Sequence, residues 1–353
     1  MPPGCPGFWP TVSPSANNTF MSSPGLPDLA DFQSALIIKP SSLGDIVHTL
    51  PAVHALKQAR PYLRIRWLAN TEWTPLLQGA PFLDDVIAFP RKRFRGPLAM
   101  IQAAQWALGE LPPTFKPEIV LDFQGLFRSA LLARASGSRP IIGLSDSREG
   151  ARFLHDRIVS VDASAHAVDR YLAMPRAFGI PVDAERLQFP LAPGCLPADW
   201  PRREDLIVVH PWSRGEGKSL TPEALQALCD ALAPQPVVLV GMTEDSSRPQ
   251  GGHIIDFSHR TNLAELVACL RAARWVISVD SGPMHIAAAV NDRTLGIHTW
   301  SDPRKVGPYN AKAWVWKSGR IAHRGEFSDL EARAEAEVTP RAAQKIGKWV
   351  LQA

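Results

Sequence analysis

The segment LIIKPSSLGD (residues 36–45) is echoed far along the chain by LIVVHPWSRGEGK (residues 206–218). Each is an apolar run, then a polar residue, a proline and a loop rich in small residues. A short continuous apolar run fits a strand buried on both faces. Proline stops such a strand because it has no N–H to give to the ladder. After the first loop, Ile46, Val47, Leu50, Val53 and Leu56 keep a helical spacing, with Pro51 expected to kink or restart the helix. One strand–loop–helix opening used twice, in a chain of 353 residues, points to two similar domains.

The segments between agree. RIRWLAN, DDVIAFP, EIVLDFQG and RPIIGLS read as strands, and AMIQAAQWALGEL and LFRSALLARASG as helices. In the second half PVVLVG and RWVISVDSG read as strands, and TPEALQALCDAL, NLAELVACLRAA and PMHIAAAV as helices, with RTLGIHTW as the last strand. Such alternation predicts an α/β protein of two Rossmann-like, doubly wound parallel sheets. The Pro/Ser/Gly/Asn-rich residues 1–33 are expected to be a disordered tail. The first domain spans 34–190, a proline-rich linker 191–204, the second domain 205–338 and an amphipathic C-terminal helix 339–353. In such sheets ligands bind beyond the carboxyl ends of the strands, so the two domains should face a shared cleft.

Composition narrows the function. A net charge of +4 favours acidic partners such as phosphates or an anionic membrane surface without demanding nucleic acid. No apolar run is long enough to span a bilayer, and the first residues lack the pattern of a secretory signal. Cys5, Cys195, Cys229 and Cys269 are widely spaced, which suits inert buried thiols in a reducing cytosol. A dinucleotide G-x-G-x-x-G, a G-x-S-x-G elbow, an H-E-x-x-H pair and a Walker loop are all missing.

Five loops carry candidate chemistry. Lys39 to Asp45 join a strand to a helix N-terminus, which suits an anion, yet the loop places a carboxylate, Asp45, there. VDSGPMH offers Asp280, Ser281 and Gly282 as a backbone cradle for a pyrophosphate; helix capping is the plainer reading, and a lone His285 more often fills a core. Ser213, Arg214 and Lys218 could hold a diphosphate or be solvated loop residues. Glu244 could bind a ribose or sit free on the surface. PRKRFRG, with Arg91, Lys92, Arg93 and Arg95 around Phe94, is the densest positive charge and could meet phosphates at a membrane.

Taken together, IIKPSSLGDIVHTLPAVHAL, LDFQGLFRSALLAR, SREGAR, HPWSRGEGKSLTPE, VDSGPMHIAAAV and SDPRKVGPYN resemble, in order, the motifs of glycosyltransferase family 9, the ADP-heptose:lipopolysaccharide heptosyltransferases. The match runs over roughly residues 34–310 and is most like the heptosyltransferase I branch. The resemblance implies a GT-B fold and inverting, metal-independent transfer of heptose from ADP-heptose to a Kdo-containing lipid acceptor at the cytoplasmic face of the inner membrane. It implies no cofactor beyond the donor, no nucleic acid and no stable protein partner. It implies Asp45 as catalytic base, and Lys39, Ser41, Ser42, Gly44, Arg91, Lys92, Arg93, Arg95 and Arg148 on the acceptor side. Ser213, Lys218, Glu244, Asp280, Ser281, Gly282 and His285 fall on the donor side. Trp212, Pro283, Met284 and the longer 213–218 loop depart from the family pattern. An epimerase or hydrolase of the same fold, or a noncatalytic lipopolysaccharide binder, stays open at this point.

Overall fold

The computed structural model describes residues 25–96, 98–114, 116–244 and 247–353. The first sheet holds β1 (Ser34–Ile38), β2 (Arg64–Asn70), β3 (Asp85–Phe89), β4 (Ile119–Asp122), β5 (Ile141–Leu144) and β6 (Arg157–Val159) in the order β3-β2-β1-β4-β5-β6. All its pairs are parallel. The second holds β7 (Ile207–His210), β8 (Val237–Gly241), β9 (Ile254–Ser258), β10 (Trp275–Val279), β11 (Thr294–His298), β12 (Trp314–Lys317) and β13 (Arg320–Ala322) in the order β13-β12-β11-β10-β7-β8-β9. Apart from the antiparallel β13 it repeats the winding of the first.

The first half carries helices α1 (Leu43–Ala59), α2 (Thr74–Leu77), α3 (Ala99–Thr114), α4 (Phe127–Ala135) and α5 (Ala167–Ala177). The second carries α6 (Pro222–Leu232), α7 (Leu263–Ala272), α8 (Gly282–Val290), α9 (Pro303–Val306), α10 (Asp329–Arg333) and α11 (Pro340–Gln352). Capping fixes several starts. Thr221 and Thr339 accept from the amides of Ala224 and Ala342, and Asn262 and Glu265 form a reciprocal box on α7. The amphipathic α11 lays Ala343, Ile346 and Val350 against Leu225 and Leu228 of α6. Gly347 permits this approach, since a Cβ there would stand 2.8 Å from that of Ala231.

The central strands β1, β4 and β7 are buried along their whole length because helices cover both faces. Burying each Leu, Ile or Val is worth about 1.5–3 kcal/mol. One apolar cluster runs from Ile37, Val47 and Val53 in the first half to Val208, Val276, Ile286 and Ala287 in the second, closing the back of the cleft. The order of strands reverses between β1 and β4 and between β7 and β10. The chain leaving those four strand ends supplies Lys39–Asp45, Asp122–Gly125, His210–Lys218 and Asp280–His285, and this is where ligands of doubly wound sheets bind.

Several expectations need correction. RTLGIHTW, as β11, is not the last strand, because β12 and β13 follow it. Pro51 does not restart its helix; α1 is one element through it. The expected tail over residues 1–33 lies outside the described residues as far as 24. Beyond that the chain is already packed, with Leu29 buried and Asp28 3.6 Å from Arg60. Cys229 and Cys269 are buried, and burial pushes both thiols up to about 12. Cys195 departs from the buried-thiol expectation, being exposed and disulfide-bonded; Cys5 lies outside the described residues.

Candidate active site

Asp45 is the third residue of α1 and sits half-buried at its N-terminus. Its Oδ2 accepts from the Ser42 amide at 3.0 Å and the Ser42 hydroxyl at 2.8 Å. Its Oδ1 accepts from the Tyr171 hydroxyl at 3.3 Å. Behind Tyr171 lies Lys39, whose Nζ donates to that hydroxyl at 2.7 Å and to the Phe123 carbonyl at 3.1 Å. Burial pushes the Asp45 carboxyl up, but the Lys39 charge and the two Ser42 bonds outweigh it and hold the group below the usual carboxylate range. Burial drives the Tyr171 phenol well above its ordinary value, and the Asp45 charge adds to this, so the phenol stays protonated and is the donor. The Lys39 ammonium is pulled down by burial, against the opposing fields of Asp45 and Asp122.

Asp122 ends β4 and is fully buried. Its oxygens hold the amides of Gln124 and Gly125, the Ser129 hydroxyl and His155, which shapes the loop beside Asp45. Gln124 Oε1 in turn accepts from the Ser41 amide at 3.3 Å. Arg148 is exposed, and its amide donates to the Gly125 carbonyl at 2.7 Å, so it flanks the same loop.

The opposite wall is α8. Its N-terminus meets that of α1 at two glycines. A Cβ on Gly44 would stand 2.5 Å from His285 Cδ2, and one on Gly282 would stand 2.6 Å from Leu43 Cδ2. His285 is therefore neither a cleft residue nor an ordinary core residue. It is buried where the halves touch, with Nδ1 2.9 Å from His48 Nε2, and His48 in turn stacks edge-on against His166 at 5.2 Å. Burial keeps all three imidazoles neutral, His166 at about 3.

Asp280 is buried and pairs with Lys218 at 2.6 Å. Burial would raise its pKa, but His298, His285 and Lys218 bring it to about 2. Those two imidazoles are themselves held down by burial, so near neutral pH the Lys218 ammonium is the effective partner. Lys218 also lies 4.5 Å from the ring of Trp300, a half-exposed side chain that donates to the Glu216 carbonyl. The Ser281 hydroxyl donates to the Val279 carbonyl at 3.0 Å and lies 3.2 Å from His210 Nδ1, so it does not cap α8. The Asp280 amide donates to Ile297 and the Met284 amide to Ser281, and Pro283 has no N–H, which leaves the Ser281 and Gly282 amides at the start of α8 to face an anion.

The structure thus brings Lys39, Ser41, Ser42, Gly44 and Asp45 together with Lys218, Asp280, Ser281, Gly282 and His285. Lys39 points inward beneath Asp45, away from the position an acceptor contact would need. Ser213 is used within its own loop, its hydroxyl accepting from the Gly215 amide at 3.3 Å. Glu244 is exposed beyond β8. Arg91, Lys92 and Arg93 form an exposed 3-10 turn with Arg95 just beyond, and Lys92 pairs with Glu72. Phe94 is not an exposed aromatic, since it packs on Phe89 and Trp106. Among the described residues no three His, Cys, Asp or Glu side chains are grouped to hold a metal ion, and no helix is long and apolar enough to cross a membrane. Sequence reading missed Tyr171, His48, His166 and Asp122; the last stood in plain view at the end of the strand EIVLD.

The sequence profile of glycosyltransferase family 9 (heptosyltransferase) matches residues 116–333. Lipopolysaccharide heptosyltransferase 1 of Escherichia coli O18:K1:H7 (strain RS218 / NMEC) is 26% identical over 326 residues, covering 88% of this chain and 98% of the relative. The protein of that name from Pseudomonas aeruginosa PAO1 is 27% identical over 287 residues, covering 78% and 81%. Among solved structures, E. coli heptosyltransferase WaaC with ADP superposes with a TM-score of 0.72 at 21% identity, covering 90% of this chain and 99% of that one. E. coli heptosyltransferase II gives a TM-score of 0.66 at 21% identity, covering 90% and 99%. The fold is GT-B, and with more than half of its residues matched by the family profile the chain belongs to glycosyltransferase family 9, the heptosyltransferases.

Proposed function

We propose that the chain transfers L-glycero-D-manno-heptose from its ADP-linked form, with inversion and without an essential metal, to a Kdo-containing lipopolysaccharide inner-core acceptor at the cytoplasmic face of the inner membrane. The observation that carries this reading is the meeting of α1 and α8, which sets one ionised carboxylate, Asp45, beside a helix N-terminus and the Lys218–Asp280 pair. Relatives named lipopolysaccharide heptosyltransferase 1, and structures of WaaC named with ADP and with ADP-2-deoxy-2-fluoro heptose, support the donor and acceptor class.

Inversion at an anomeric carbon needs one base on the face opposite the leaving group. Asp45 takes that role. Its oxygens are not equivalent: Oδ2 is held by two bonds from Ser42, whereas Oδ1 holds one longer bond from Tyr171. Oδ1 has the freer lone pair and receives the acceptor proton. A carboxylate this acidic cannot deprotonate a free hydroxyl beforehand. The proton moves as the new C–O bond forms and the attacking oxygen becomes acidic.

The departing ADP gathers negative charge on its diphosphate. Lys218 has donors left beyond its bond to Asp280, and the start of α8 supplies the Ser281 and Gly282 amides and a positive helix end. Glu244 is assigned to the ribose and Ser213 to the diphosphate-side loop. The exposed Arg91, Lys92, Arg93, Arg95 and Arg148 suit the acidic acceptor. Lys39 acts from behind, keeping Asp45 ionised. The test is Asp45→Asn with ADP-heptose and a Kdo-containing acceptor. Transfer should be lost while ADP-heptose still shifts the melting temperature, and the wild-type product should carry the inverted linkage with or without chelator. Normal turnover by the variant would refute the base assignment.

A further inference from the structure

Helix α3 shows an outward face that the sugar-transfer reading does not use. Its inner face buries Ala99, Ala103, Ala107 and Leu111. On the other side Leu98 is 58% exposed, Ile101 56% and Leu108 59%, with Gln105 exposed between them. At about 100° per residue these four positions fall within roughly 80° of arc, a single ridge. Leu98 belongs to it because its carbonyl accepts the first helical bond, from Gln102, at 3.0 Å. From Leu98 to Gly109 no residue is charged, which is unusual for a helix face in water.

The ridge is joined to the basic turn. Trp106 of α3 lies 5.2 Å from Phe89 and 6.4 Å from Phe94, ring to ring, and Phe94 stands between Arg93 and Arg95. The three rings hold the turn against the flank of the helix on the Leu98 side, so the exposed Arg91, Lys92, Arg93 and Arg95 border the apolar ridge. Greasy side chains flanked by cations match the boundary between acyl chains and anionic headgroups, where an in-plane helix binds by both terms at once. A second copy of the chain would instead bring four cations against four of the same sign.

We propose that this surface is a bilayer-docking face: the α3 ridge seats in the interfacial zone of an anionic phospholipid membrane while the 91–95 cations engage the headgroups. It deepens the proposed action on a lipid acceptor but does not depend on it, because the lipid is recognised without the acceptor. The experiment is vesicle flotation of the full chain with acceptor-free phosphatidylglycerol/phosphatidylethanolamine vesicles, and with phosphatidylcholine alone. The wild type should float with the anionic vesicles and much less with the neutral ones. A residue of binding should persist at about 0.5 M salt, where the cations are screened. Leu98→Gln/Ile101→Gln/Leu108→Gln should lower the anionic partition about ten-fold or more and abolish the salt-resistant part. Its melting temperature and its turnover of a delipidated, water-soluble acceptor should match the wild type. Unchanged flotation of the triple variant would overturn the proposal. So would a wild-type dimer in light scattering that the same substitutions convert to a monomer.

Discussion

Tyr171→Phe removes one oxygen from the only described path linking Lys39 to Asp45. The ring remains, with its edge-on contact to Phe123 at 6.0 Å. Two hydrogen bonds disappear, one from the Lys39 ammonium at 2.7 Å and one to Asp45 Oδ1 at 3.3 Å. A bond to a charged group contributes about 1.5–3 kcal/mol, and the longer one sits at or below the bottom of that range. Lys39 is left buried with the Phe123 carbonyl as its remaining acceptor among the described residues, so its charge becomes costlier to keep. Asp45 loses a donor and gains rotational freedom. If about 1.4–2.7 kcal/mol of this appears in the transition state, kcat falls roughly 10- to 100-fold. The donor KM should hardly move, because Lys218 and α8 are untouched. The sign of the pH effect follows from the direction of the Asp45 shift. Its carboxyl is held below its ordinary value, so losing a donor raises its pKa and moves the acid limb of the kcat profile to higher pH. The assay is initial-rate transfer across the acid range, with melting temperature measured alongside. A variant that melts earlier yet keeps kcat within about two-fold and an unshifted acid limb would refute this role, leaving Tyr171 a packing residue.

Two other outcomes follow from the same geometry. Gly44→Ala drives a methyl to 2.5 Å from His285, so α1 and α8 must part; a stability loss of about 1–3 kcal/mol is expected in denaturant titration, together with a raised donor KM. Acidification from about pH 7 to about pH 5 should lower the melting temperature through the buried histidines. His166 is held at about 3 and His210 and His298 at about 4, all chiefly by burial, so below the unfolded value the unfolded chain takes up protons that the native one refuses. Each costs up to about 2 kcal/mol by pH 5, and a flat stability profile over that window would contradict the burial of these rings.

The sequence shows Asp45 and its loop well and the residues packed behind them poorly. Asp45 was legible because a carboxylate directly after a Ser/Gly loop opens a helix, and that local pattern fixes where it must sit. The repeated opening likewise disclosed two similarly wound halves. Tyr171 was not legible, because its role rests on Lys39 and Asp45, which lie 132 and 126 residues away in sequence. The inward turn of Lys39 depends on Phe123 and Tyr171, which are distant in sequence. β12 and β13 were lost for another reason: four and three residues are too few for alternation to register. His285 could be placed only once Gly44 was seen to lie against it.

The contact at Gly44 and Gly282 has an electrical consequence. Each helix start carries about half a positive elementary charge, and here two of them point into one gap, with the Lys39 and Lys218 ammonium groups close by. Asp45 and Asp280 are the carboxylates set among them. The gap is thus a place of electrostatic tension, held because tightly fitted apolar surface clamps it from behind. A doubly charged pyrophosphate entering the gap discharges that tension, so donor occupancy should tighten the whole molecule and not merely fill a groove in it.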